Sequence, residues 1–265
     1  PDPTIPEGIS LEFLKQIFES RYVPANMTLI VMGYFDDGVI DAVLKNTFAN
    51  LPAKPLDIRQ PVSFTAIDYS TPIVERRGLF DPQVDVYMFI PSVGSVDPDN
   101  EAYKIIAEYL GEQLFYDVRG QRGLGYTPRA LVDNNSQYGF LEATTQTSDL
   151  WVDKVTELFR AKYAEIRRNG IPQKDIERLS EKLILEFESK QRDNNDLAQI
   201  YRHFRHVIRQ SGTMPDLVKR LQKVDAGQVM AVIQQRFPEQ PLIAVLRAPN
   251  WKEVAIQIGP FTLVF

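Results

Sequence analysis

The sequence contains no cysteine. That removes disulfides, iron–sulfur clusters, thiolate zinc sites and cysteine nucleophiles together. Histidine is nearly as scarce, His203 and His206 being the two present, so a Ser–His–Asp triad or a histidine-rich metal centre has little to draw on. No apolar run approaches the roughly 18 residues of a membrane-spanning helix. Positive charge is not in excess: 30 basic residues face 35 acidic ones, for a net charge of -5. Nucleic-acid binding wants a clustered positive surplus, so nucleic acid is not an expected partner. The opening Pro1-Asp2-Pro3-Thr4-Ile5-Pro6 has no initiator methionine, basic n-region or apolar h-region, and is no signal peptide. It reads as a chain cut from something longer, whose address signal lies elsewhere.

What is present is an ordinary globular composition. The 265 residues are 44% apolar and 25% charged, which places the chain among folded proteins of one or two domains, with a self-sufficient core. Ser10 can cap a helix with the apolar stripe Leu11, Leu14, Ile17, Phe18 and Tyr22. Pro24-Ala25-Asn26 breaks it, and Met27–Met32 reads as a buried strand. Asp36 starts a second helix, and Pro52, Pro55 and Pro61 punctuate a linker. Strict alternation predicts a strand over 83–90 with Val84, Val86, Met88 and Ile90 inward. Asp99 caps a long helix, 99–119, and two strands, 126–132 and 138–146, are joined by the turn Asp133-Asn134-Asn135-Ser136. Helices follow at about 149–168, 173–191, 194–210, 214–222 and 225–236, with Leu242–Leu246 as a closing strand.

One internal echo organises these elements. Residues 9–22, ISLEFLKQIFESRY, align without a gap with 224–237, VDAGQVMAVIQQRF, at a shift of 215. Ile9, Ser10, Leu14, Ile17, Phe18, Arg21 and Tyr22 fall on Val224, Asp225, Val229, Val232, Ile233, Arg236 and Phe237. Each copy then runs through proline into an apolar segment. Two amphipathic helices share apolar spacing by default, so the echo is either that or the trace of tandem domains. On the second reading the chain holds the tail of one copy and most of the next.

The most individual segment is Leu114–Tyr126, which leaves a helix through Gly120, Gly123 and Gly125 and enters a strand. Arg119 and Tyr126 stand seven residues apart around it. A guanidinium and a phenol held near one another supply fixed donors for a peptide carbonyl or a developing oxyanion. The alternative is that Arg119 answers the helix dipole and Tyr126 packs.

At this point the sequence resembles the pitrilysin/insulinase family of zinc metallopeptidases. RYVPANMTLIVMGYFDDGVIDAVLKNTFANLP, within residues 9–54, is similar to the end of a family domain. LFYDVRGQRGLGYTPRA resembles the family's Arg-x6-Tyr motif, and 137–191 follow its strand, helix, Asn-Gly, helix order. The likeness covers about residues 9–250. It implies repeated α/β domains in two halves that enclose a chamber. It also implies that Arg119 and Tyr126 reach the substrate backbone or its transition state, with Gly123, Leu124 and Gly125 shaping their loop. The departure is equally informative. The family's catalytic domain carries H-x-x-E-H, in which two histidines and a later glutamate bind zinc while the motif glutamate works on water. No such sequence exists here, and 99–119 contains no histidine.

The expectations are therefore an α+β fold with a mixed or antiparallel sheet covered by several helices. Residues 1–57 should be the C-terminal remnant of a preceding repeat domain, 58–71 a linker, 72–250 a nearly complete domain without the zinc motif, and 251–265 a tail or connection. The resemblance implies a non-catalytic portion of a zinc metalloendopeptidase, inactive by itself. Its partners would be a peptide substrate and a zinc-bearing catalytic domain or subunit. No catalytic residue, metal ligand or cofactor is assigned to this chain; zinc is expected in the missing domain, and the cell envelope or periplasm as location. The competing reading is a catalytically silent scaffold or binding subunit that completes a chamber or assembly. His203 and His206 share a helix face amid Arg202, Arg205 and Arg209 and read as exposed rather than metal-binding. Glu181 to Arg192 reads as a solvated face with i, i+4 pairs, Leu150-Trp151-Val152 as core, and Asp36-Asp37-Gly38 as a helix cap rather than a calcium site.

Overall fold

The computed structural model describes residues 9–54, 71–76, 83–135, 137–211 and 213–247. The described residues fall into two compact units, one containing 9–54 and 191–205 and the other containing 71–190 and 206–247.

In the first unit, α1 (Leu11–Arg21) begins where the Ser10 hydroxyl accepts the Phe13 amide at 3.0 Å. α2 (Asp37–Asn46) begins where the Asp36 carboxylate accepts from Gly38 and Val39. That is the cap expected for the Asp-Asp-Gly run. Between the two helices Met27–Met32 joins no strand ladder among the described residues. The expected buried strand is therefore corrected: Met27, Leu29 and Val31 are exposed. Apolar β-formers become a strand only when neighbouring backbone accepts their amides and carbonyls, and no neighbour of that kind is described here.

The second unit is built on a mixed five-stranded sheet of order β1-β5-β2-β4-β3. Its strands are β1 (Ile73–Arg76), β2 (Val84–Val93), β3 (Tyr126–Asn134), β4 (Tyr138–Thr147) and β5 (Leu242–Arg247). β1 lies parallel to β5, and the other pairings are antiparallel. β1 was not recognised in the sequence; four residues are too few for a period-2 pattern to stand out. The apolar face of β2 appears as expected, with Val84, Val86, Met88 and Ile90 fully buried, but Asp85 on the other face is buried as well. Met88 is opposite Ala143 on one side and Ile243 on the other, so three strands present one apolar face. α3 (Asn100–Leu114), α4 (Val152–Asn169) and α8 (Ala226–Arg236) supply Ile105, Ile106, Leu110, Val155, Phe159, Val229 and Ile233 to the same core. α5 (Gln173–Lys190) and α7 (Leu217–Gln222) are the further helices of this unit, while α6 (Asn194–Ser211) begins in the first unit and ends in the second.

Several local expectations are revised. Asp99 occupies the position before α3 but caps nothing with its side chain; its carboxylate lies 2.9 Å from Arg236 instead. The charged face of α5 is not a ladder of i, i+4 pairs, since Lys182 reaches Glu108 on α3 at 2.6 Å. Leu150 and Trp151 are exposed rather than core, because they sit in the turn that leads into α4. The linker positions 58–70, the turn residue Ser136 and the tail 251–265 lie outside the described residues.

Candidate functional site

The candidate site forms where α3 changes its winding. Beyond Leu114 the helix continues as a π-helical segment, Phe115–Gly120, and such widened turns are frequent at functional sites. The segment is anchored from three directions. Val118 is fully buried, the Leu124 amide donates to the Val118 carbonyl at 2.8 Å, and Asp117 pairs with Lys162 of α4 at 3.1 Å. Burial works against the charge of Lys162, yet the hydrogen bonds it donates to Glu165 and Asp117 hold its pKa above the ordinary lysine value.

Two glycines then shape the loop for different reasons. Gly123 has φ +59 with open space around its missing Cβ, so it supplies a left-handed turn. Gly125 supplies room: a Cβ there would stand 2.8 Å from both Thr145 Oγ1 and Val118 Cγ1. Leu124 between them is buried, and its carbonyl accepts from the Thr147 hydroxyl at 2.6 Å. The chain thus reaches β3 pressed against β4, with Tyr126 opposite Gln146. Immediately afterwards Thr127 adopts φ 55 and the register shifts before Arg129. This bulge turns the start of the strand, as bulges beside functional sites do.

The result brings the two sequence-nominated anchors together. The guanidinium carbon of Arg119 stands 5.1 Å from the Tyr126 ring centroid and 5.5 Å from that of Phe115, within cation–π range of both. Arg119 is exposed, and Tyr126 is 64% exposed. A guanidinium held over two ring faces while exposed carries five N–H donors that can donate to carbonyl or oxyanion oxygens. Beside the pair lies a shallow groove of about 590 Å³, lined by Gln83, Gly125, Tyr126, Gln146, Thr147 and Trp151 among others.

Phe115, Thr127 and Trp151 were not nominated from the sequence. Phe115 could have been, because it precedes Arg119 by four residues and shares its helix face. Thr127 and Trp151 carried no such signal, since only the fold sets a backbone dihedral or brings the β4–α4 turn to this loop.

Metal chemistry has no donor set here. No group of three or more His, Cys, Asp or Glu is arranged to hold a metal ion among the described residues, so they offer no site that fits zinc. His203 is half-buried rather than exposed, its ring edge-on to Phe204, and the His206 side chain lies outside the described residues. Among the described residues no helix is long and apolar enough to cross a membrane.

Comparison with known proteins bears on the fold. No curated protein matches the sequence. The solved peptidase M16 inactive domain from Pseudomonas fluorescens superposes with a TM-score of 0.73 at 18% identity, over 92% of this chain and 58% of that one. A protease from Helicobacter pylori gives 0.73 at 13% identity, over 90% and 59%. The periplasmic protease PqqL from Escherichia coli gives 0.61 at 12% identity, over 90% and 30%. At these identities the likeness shows the fold, and this chain spans less than two thirds of each of the three. The family profile described as the peptidase M16 inactive domain matches residues 8–183. More than half of the chain is thereby accounted for, and the chain belongs to the M16 insulinase-type peptidase family as one of its inactive domains.

Proposed function

We propose that this chain is a non-catalytic portion of a zinc-dependent metalloendopeptidase that degrades or processes peptides. In this reading it forms part of the chamber wall and holds the substrate backbone through Arg119 and Tyr126. The observation that carries it is the stack itself: an exposed arginine oriented over an exposed tyrosine, 5.1 Å from its ring, beside an open groove. The Arg119 N–H edge and the Tyr126 hydroxyl would donate to a peptide carbonyl, and more strongly as negative charge gathers on its oxygen. Zinc, for which the described residues form no ligand group, would belong to a separate catalytic domain or subunit of the same family. The periplasm is the proposed location, by analogy with the Escherichia coli relative.

A second reading rests on the same contact. Arg119 lies over two aromatic faces, and such a clamp can stabilise the loop with no substrate, as a silent scaffold requires. The double variant Arg119→Ala, Tyr126→Phe in the natural protein, together with its zinc-bearing portion, separates the two. Peptide turnover should fall by about a hundredfold or more if the pair binds developing charge. Turnover unchanged within about twofold would assign the pair to structure alone.

A further inference from the structure

Lys162 stands where α4 would ordinarily carry an apolar residue. Val155, Phe159, Lys162 and Ile166 follow the four- and three-residue steps of one helical stripe, and the three apolar members are buried in the core. The lysine side chain is itself 16% exposed. Asp117 is placed in the same way, beside the fully buried Val118 and 17% exposed. The two charges meet at 3.1 Å, and the half-exposed Glu165 shares the ammonium at 2.9 Å.

Such a pair adds little net stability, because desolvating both charges offsets most of their attraction, and apolar side chains of similar volume often serve as well. What it supplies is direction, a charge-assisted hydrogen bond between two fixed points. The fixed point here is α4, pinned by its buried stripe. The part it holds is the segment Phe115–Gly120, whose π-helical winding is rare. Arg119 follows Asp117 by two residues in that turn. Its guanidinium lies over the Phe115 and Tyr126 rings and forms no ion pair among the described residues. Where Arg119 points is therefore set by the turn that carries it.

We propose that Lys162 is a positioning residue: through Asp117 it fixes the rotation of the π-helical turn, and so places Arg119 over Tyr126 and toward the peptide carbonyl. The last step rests on the function proposed above for the pair. The placing of Arg119 does not, and it can be measured without any substrate.

The charge-free variant Asp117→Leu, Lys162→Met tests the proposal, with Lys162→Arg as the conservative control. Asp117→Asn, equal in shape to the natural residue, is the second variant. In this chain the proton resonances of the Arg119 side chain, displaced by the Tyr126 and Phe115 rings, report its position. The charge-free variant should keep its melting temperature and lose that displacement. Asp117→Asn should lose it in smaller measure, and Lys162→Arg should retain it. In the natural protein with its zinc-bearing portion, kcat of the charge-free variant should fall about tenfold or more with KM within about twofold, as for a contact made only in the transition state. Lys162→Arg should recover most of that loss. A displacement unchanged in both the charge-free and the Asp117→Asn variants overturns the proposal. So does a displacement lost only in step with the melting temperature, which would make the pair part of the core and no more. A lost displacement with turnover unchanged, where the Arg119→Ala, Tyr126→Phe variant also turns over normally, upholds the placing of Arg119 by Lys162 and overturns the function proposed for the pair instead.

Discussion

Arg220 of α7 grips Glu101 at the start of α3, across 119 residues of sequence: its Nε donates to Oε2 at 2.7 Å, and one terminal nitrogen lies 2.7 Å from the same oxygen. Glu101 is 1% exposed. Its other oxygen accepts from Asn100 at 3.1 Å and lies 3.6 Å from Lys104. The carboxylate is thus compensated on every side, as a buried charge must be. Arg220→Met strands that charge and should cost about 3–5 kcal/mol, read as a fall in denaturation midpoint. Arg220→Met together with Glu101→Leu should cost clearly less. Equal losses in the single and double variants would show that the charge is not what matters.

Gly125 and Gly123 should respond differently to alanine. At Gly125 the new methyl meets Thr145, Val118 and the Gln146 carbonyl at 2.8, 2.8 and 3.0 Å, so strand and helix must separate. A loss of about 2–3 kcal/mol is expected, and if the proposed function holds, peptide turnover falls with it as Tyr126 moves. At Gly123 nothing lies within 4 Å, and only the left-handed φ of +59 opposes the change, for about 1 kcal/mol. Thermal melts of the two variants decide the order.

Phe115 acts as a positioning residue if the proposed function holds. It is half-exposed, so Phe115→Ala should change stability by under about 1 kcal/mol. Turnover should nevertheless fall about 5–10-fold, because Arg119 loses one of its two aromatic faces. Rescue by Phe115→Tyr, which keeps the ring, distinguishes this from general disruption.

The Glu112–Arg178 pair should contribute only where Glu112 is ionised. Arg178 donates to both carboxylate oxygens, at 3.1 and 2.6 Å. That hydrogen bonding, against a smaller opposing effect of burial, holds the Glu112 carboxyl below the ordinary glutamate range. A depressed folded-state pKa stabilises above the unfolded-state value, and the gain is lost as pH falls through the folded one. Both side chains are partly solvated, so the pair contributes about 1 kcal/mol or less. Arg178→Ala should lower stability slightly at neutral pH and leave it unchanged in strong acid. Urea titrations at the two pH values give the difference directly.

Glu142 has the opposite sign. Burial raises its pKa, with Arg129 opposing and Asp133 assisting. Its contribution is therefore present below the unfolded-state value and lost as pH rises through the folded one. Glu142→Gln should stabilise the protein at neutral pH by under about 1 kcal/mol, and lose that advantage in acid.

Much of the fold was legible because helix signals are local. Ser10, Asp36 and Asp225 cap the helices they were expected to cap, and Val84, Val86, Met88 and Ile90 share one buried face of their strand as period two requires. Local signals misled where the deciding partner was remote. The Asp99 carboxylate was taken by Arg236 rather than by its own helix, and Leu150 and Trp151 looked like core but remained exposed. Arg119 and Tyr126 were legible as a spaced pair, whereas their mutual approach depended on a π-helical segment and a bulge that no pattern announces.

By itself the sequence determined the helices with the caps at Ser10, Asp36 and Asp225, the apolar face of the central strand, the lack of an H-x-x-E-H motif and the two anchors seven residues apart. Each of these follows from chemistry carried by a residue and its near neighbours. The tertiary structure alone decided that Arg119 lies over the Tyr126 ring, that Arg220 neutralises Glu101, and that Leu242–Arg247 is a strand while Met27–Met32 is not. The two segments are comparably apolar. One finds backbone partners on both sides and the other finds none among the described residues, and a strand is a property of the ladder rather than of the segment.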